Sequence, residues 1–152
     1  MKYESTQTGW FFIILMSAIV AIITFSYYLQ LGNNPLPENV FRLLLFVFIL
    51  ILINFYKLKI RVDETGINIL YGIGLIHIKI QPDSVESVQT VKTPWLYGFG
   101  IRFTFNGMLY NIQGRDAVRI YYFQDGKSKK VTIGSKEPEK LKAFLEGKYK
   151  VS

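Results

Sequence analysis

The 152 residues contain no cysteine and a single histidine, His77. Disulfides, thiolate metal sites and a cysteine nucleophile are thereby excluded, although the compartment is left open. His77, flanked by Ile76 and Ile78, is too little for a metal, which needs several ligands. Paired catalytic carboxylates are missing too. Asp63-Glu64, Asp116 and Asp125 fall at turn positions, where acidic residues serve the backbone. No helix-forming context follows Gly98-Phe99-Gly100, so these glycines are not a phosphate loop. Enzymatic function and bound cofactors are therefore not expected.

Charge is scarce in the first third. Of 18 basic and 11 acidic residues, only Lys2, Arg42, Glu4 and Glu38 precede Lys57, so the entire net charge of +7 belongs to the remainder. In place of charge there are two apolar runs. Trp10 to Leu31 is 22 residues long without a charge, enough at about 1.5 Å per residue to exceed a ~30 Å hydrocarbon layer. A cleaved signal peptide would have a shorter core and a small-residue site, whereas Ser26-Tyr27-Tyr28-Leu29 follows here. Val40 to Tyr56 forms a second run, broken only by Arg42 near its outer end.

Gly32, Pro35 and Pro37 lie between the runs and predict a tight helical hairpin over residues 1–56, with spans near 10–31 and 40–56. Lys2, Lys57, Lys59 and Arg61 flank one side, which places both termini in the cytoplasm and the protein in the cytoplasmic (inner) membrane. Ser17, Ala18 and Ala21 offer a small-residue packing face.

From Lys57 onward, period-two alternation recurs and predicts half-buried strands. Leu58, Ile60 and Val62, then Ile67, Ile69 and Tyr71, then Ile76, Ile78 and Ile80 read as a meander. Val85 to Val91 reads as a further strand with a bulge, because Val85 and Val88 are three apart. Ile101, Phe103 and Phe105 form an inward set opposite Met108, Tyr110 and Ile112, joined by Asn106-Gly107 as a type I′ turn. Two further strands follow, separated by Asp125-Gly126-Lys127. A last amphipathic helix presents Leu141, Phe144 and Leu145, with Ser135 and Pro138 at its start and Gly147 as its stop.

The order of meandering strands and a terminal helix after a membrane hairpin resembles the bacterial pleckstrin-homology-like domain of small membrane proteins. Trp95-Leu96-Tyr97-Gly98-Phe99-Gly100-Ile101-Arg102, Leu109 to Val118, and Ile133-Gly134-Ser135 before Glu137-Pro138-Glu139-Lys140-Leu141 carry the resemblance. It implies an α+β fold over residues 57–152: an antiparallel β-barrel or sandwich capped by the C-terminal helix, serving as a platform for partners. It implies no catalytic residues.

Candidate contacts are Trp95, Tyr97 and Phe99, crowded in one loop that either folds over the barrel mouth or dips into an interface, packing being the plainer reading. Arg102, Arg115 and Arg119 are candidates for anion recognition beside it, although arginines on strand faces are usually just solvated. The expected function is a non-enzymatic membrane adaptor or accessory subunit that binds a protein partner. Two alternatives are a sensor of anionic lipid or ligand and a structural subunit of a larger complex. Without an arginine-rich recognition helix or a zinc pattern, nucleic acid is not an expected partner.

Overall fold

The computed structural model describes residues 2–151; Met1 and Ser152, the last residue of the predicted domain, lie outside the described residues. Among the described residues the chain is α+β, with three α-helices and two sheets. Its first element is strand β1 (Tyr3–Thr8), followed by helix α1 (Trp10–Tyr28) and helix α2 (Glu38–Phe55). Strands β2 (Lys57–Asp63), β3 (Gly66–Tyr71) and β4 (Ile76–Ile80) come next. Strand β5 (Ser84–Lys92) leads through a 3₁₀ turn at Trp95–Tyr97 to β6 (Gly100–Thr104) and β7 (Gly107–Asn111). Strands β8 (Asp116–Gln124) and β9 (Lys127–Gly134) precede helix α3 (Pro138–Tyr149).

Both α1 and α2 are long and apolar enough to cross a membrane. They run antiparallel about a loop where Tyr27 and Phe41 stack with ring centroids 4.0 Å apart, and Arg42 pairs with Glu38. Polar groups inside the helices are satisfied locally: Thr24 Oγ1 donates to the Val20 carbonyl and Asn54 Nδ2 to the Leu50 carbonyl. The small residues Ser17, Ala18 and Ala21 do not lie between the helices but are exposed on the outer face.

The hairpin is inserted between two paired strands. The sequence reading places residues 1–56 with the hairpin, yet Tyr3–Thr8 pairs with β2 from Tyr3 opposite Val62 to Thr8 opposite Lys57. Glu4 fastens this polar strand, with Lys59 Nζ at 2.7 Å and Arg61 Nη2 at 3.1 Å. The hydrogen bond from Lys59 holds the Glu4 carboxyl below the ordinary glutamate range. A depressed carboxylate pKa stabilises the folded state above the unfolded value, and that contribution is lost as pH falls through the folded one. Hydrogen-exchange protection of Tyr3–Thr8 amides, corrected for intrinsic rate, is expected to drop as pH falls below the ordinary glutamate range. Glu4→Gln should reproduce the drop at neutral pH; unchanged protection in that variant would show that the ion pair does not hold β1.

The first sheet is the expected meander β2-β3-β4 with β1 added at its edge, in the order β1-β2-β3-β4. The second, ordered β5-β8-β9-β7-β6, departs from a purely antiparallel arrangement, because Met108–Tyr110 of β7 runs parallel to Val131–Ile133 of β9. The bulge in β5 is present at Glu86, between Val85 opposite Tyr122 and Ser87 opposite Tyr121. The bulge lets both Val85 and Val88 face the core.

The core lies between the sheets and under α3, with Leu58, Ile60, Ile69, Ile120, Ile133, Leu141 and Leu145 fully enclosed. Phe144 is half-buried against Tyr3, with ring centroids 5.5 Å apart. Gly147 does not end α3. The helix runs through it to Tyr149, and left-handed Lys150 forms the cap. A glycine inside a helix costs about 1 kcal/mol, offset here because Tyr149 and Val151 pack on the core.

The two sheets do not close into a barrel. Among the described residues each sheet keeps two edge strands, β1 and β4 in the first and β5 and β6 in the second, and Ile80 of β4 and Phe103 of β6 border one open mouth. The β6–β7 connection also differs from expectation. Thr104 is opposite Gly107, so Phe105-Asn106 is the loop, and neither residue has positive φ. A type I′ turn is excluded. Thr104 Oγ1 instead accepts the Asn106 N–H at 3.1 Å and donates to the Gly107 carbonyl at 2.8 Å, and only Gly107 is left-handed. The two-residue hairpin with both residues left-handed is Asp125-Gly126.

Candidate functional site

The base of the hairpin and one end of the sheets form a continuous seam. Gln113, just after β7, links them: its carbonyl accepts Gln7 Nε2 at 2.5 Å and its Oε1 accepts the Trp10 N–H at 2.6 Å. This side chain caps the start of α1, which has no capping residue of its own. The Gly9 N–H donates to the Tyr56 carbonyl at 2.8 Å, tying the entry of α1 to the exit of α2. On the α2 side, Phe55 packs on buried Tyr71, with centroids 5.5 Å apart. A Cβ at Gly72 would lie 2.2 Å from the Ile53 carbonyl oxygen, so the β3–β4 turn is pressed against the last turn of α2.

The aromatic loop sits on the other flank, against α1. Phe99 packs on Phe11 with centroids 5.6 Å apart, and Tyr97 is half-buried. Trp95 and Leu96 project outward, being 75% and 73% exposed. The loop therefore divides into a packed half and a projecting half. Beyond it, Ile73 and Leu75 project in the same way from the β3–β4 turn. Four large apolar side chains thus emerge from the two loops that abut the hairpin. Apolar residues in a glycine turn, Gly72-Ile73-Gly74-Leu75, were the sequence signal for the second pair.

The six sequence candidates do not share one cavity. Trp95, Phe99, Arg102 and Arg115 line one of about 530 Å³, whose far wall is Phe11, Phe12 and Leu15 of α1. Tyr97 and Arg119 line a separate cavity of about 210 Å³. Arg115 is fixed by reciprocal bonds with Thr93: its Nε donates to the Thr93 carbonyl at 3.0 Å, and its own carbonyl accepts the Thr93 N–H at 2.7 Å. Arg119 Nε lies 3.4 Å from Thr132 Oγ1. Among the described residues, neither Arg102 nor Arg115 has a carboxylate within ion-pair distance.

A third surface was misread from the sequence. Ile101 and Phe103 occupy the inner face, opposite Tyr110 and Met108, but both are left exposed. Phe103 is 86% exposed and Phe105, at the tip, 94%. Alternation identifies the face of a strand, whereas cover depends on the opposing sheet. Phe103 adjoins a cavity of about 250 Å³ with Ile80, Met108, Tyr110, Tyr122 and the lysines 129 and 130.

His77 lies exposed on the outer face, its Nε2 3.0 Å from Asn68 Oδ1. Burial pushes the phenols of Tyr110 and Tyr122 above their usual range, so both stay neutral hydroxyls in the mouth. Among the described residues no group of His, Asp and Glu is placed to hold a metal. The geometry offers apolar surfaces, sheet edges and cations. Comparison with family models, with curated proteins and with solved structures returns no match.

Proposed function

We propose that this protein is a non-enzymatic membrane adaptor whose strand β6 accepts an added strand from a protein partner. The observation that carries the reading is the uncovered inner face of β6, where Phe103 is 86% exposed beside an unpaired edge. An edge strand supplies a row of free N–H and C=O groups, and pairing with an extended peptide satisfies them while side-chain pockets select the sequence. Lys129 and Lys130 border the mouth, so the fitting partner is an apolar strand flanked by acidic residues.

In this proposal α1 and α2 cross the cytoplasmic membrane with both termini inside, because Lys2, Lys57, Lys59 and Arg61 all lie on the β1–β2 side of the hairpin, whereas its short connecting loop has only Arg42 nearby. Ile73, Leu75, Trp95 and Leu96 then rest in the interface and fix the orientation of the domain. A pleckstrin-homology-like assignment agrees with two sheets followed by a terminal helix, and the open mouth suits a platform for partners.

Phe103→Asp is expected to leave the thermal transition within about 0.5 kcal/mol of wild type, as for other exposed substitutions. It should nevertheless release the protein from its assembly, read as a shift on native gels of mild-detergent extracts. Retention of the assembly by the variant would remove β6 as the docking edge. Recovery of two differently tagged copies in one assembly would assign the edge to self-association instead.

A further inference from the structure

We propose that the cavity between α1 and the Thr93–Arg102 segment holds the headgroup phosphate of an anionic phospholipid, gripped by Arg102 and Arg115. The inference shares with the proposed adaptor role only the placement of the hairpin in a bilayer. It begins with length. At about 1.5 Å per residue, the 19 residues of α1 extend roughly 28 Å, barely the ~30 Å of a hydrocarbon core. The helix has no turn to spare, so Phe11 and Leu15 lie at or inside the hydrocarbon boundary. Whatever packs beside them lies at that depth too.

The aromatic loop does so. Phe99 is against Phe11, and Trp95 shares the cavity wall with Leu15. Two arginines open into this same space, at the level where lipid phosphates sit. Neither is neutralised by a carboxylate among the described residues, and no acidic residue lines the cavity. Arg102 reaches back over the loop, its Nη2 3.3 Å from where a Cβ at Gly98 would be, while the Thr93 bonds anchor Arg115. A volume of about 530 Å³ matches a headgroup with the start of its acyl chains. Guanidinium pairs suit phosphate through bidentate hydrogen bonds, and the phenyl and leucyl wall suits the chains. A free phosphate ion would leave that apolar wall unsatisfied, which favours lipid.

The test uses the full chain in phosphatidylcholine vesicles, with Trp10→Phe leaving Trp95 as the sole indole reporter. Chain-brominated phosphatidylglycerol at low mole fraction is expected to quench Trp95 several-fold more than the same fraction of brominated phosphatidylcholine. Unlabelled phosphatidylglycerol should restore the fluorescence saturably. Arg102→Gln and Arg115→Gln should each weaken the preference roughly five-fold, the effect of one interfacial cation. Lysine replacements should recover only part of it, because an ammonium keeps the charge but not the bidentate bonds, whereas Arg119→Gln and Phe103→Asp should keep most of it. Equal quenching by the two brominated lipids, or a preference that survives both glutamine changes, would overturn the site. An equal loss with Arg119→Gln would reduce it to diffuse surface attraction. Displacement by inorganic phosphate would assign the cavity to a soluble anion. Absence of quenching by either lipid would contradict the bilayer placement itself. Should the glutamine variants fail to fold, the saturable competition in the otherwise wild-type chain still decides.

Discussion

Valine at position 107 is expected to cost at least about 3 kcal/mol and to disrupt the second sheet, whereas valine at 106 should be tolerated. Gly107 has φ +85°, a region a β-branched residue enters only at a strain of roughly 1–3 kcal/mol. Space is the larger obstacle. A Cβ there would lie 2.0 Å from the Lys130 carbonyl oxygen, which belongs to the neighbouring strand β9. Relief requires β7 and β9 to part, and their three-residue parallel contact is what joins the β6–β7 hairpin to the rest of the sheet. Asn106, by contrast, has an ordinary φ and is only partly buried. The ranking therefore separates this loop from a type I′ turn, in which both positions need positive φ. Chemical denaturation of the full chain in detergent measures it. If Asn106→Val is the more damaging of the two, the observed loop geometry is wrong.

The same loop marks where the sequence stops being legible. Period two located the strands from Lys57 to Ile80, and the spacing of Val85 and Val88 gave the bulge, because both signals are local. Asn106-Gly107 and Asp125-Gly126 both carry the hairpin signal and both join paired strands, yet only the second pair forms the turn itself with both residues left-handed. In the first, the Thr104 hydroxyl satisfies the loop backbone and shifts the turn by one residue. Strand β1 was hidden for another reason. Tyr3–Thr8 has little apolar alternation to find, and it is held by ladder bonds and by Glu4 reaching Lys59 and Arg61.

Membrane-length helices were plain in composition. The seam between them and the sheets was not, since Gln113 and Trp10 meet only in three dimensions. The candidate site followed the same division. Chemistry-bearing residue types at 95–102 and 115 were recognisable, but their common cavity depends on Phe11 and Leu15, more than eighty residues earlier.

Replacing Tyr71 by alanine is expected to lower stability by about 3–5 kcal/mol, the range for losing a large buried side chain. It should also loosen the docking edge. Tyr71 is fully buried at the end of β3, and its ring meets Phe55, the last residue of α2. Its hydroxyl lies 3.3 Å from both the Gly100 and the Asn111 carbonyl oxygens, at the start of β6 and the end of β7. Burial pushes its phenol far above the usual range, so the proton remains available to donate. One side chain thus connects the end of the second helix to the strand proposed to receive a partner. Tyr71→Phe keeps the ring and loses only the shared hydrogen bond, for about 1 kcal/mol. Tyr71→Ala removes the ring from beneath both elements, and for a domain of this size the melting temperature should fall by more than about 12 °C. The phenylalanine variant should keep the Phe103-dependent assembly on native gels, and the alanine variant should lose much of it. Equal damage from both replacements would mean that the hydroxyl, not the ring, holds the seam, and an unshifted melt in the alanine variant would deny Tyr71 any such role.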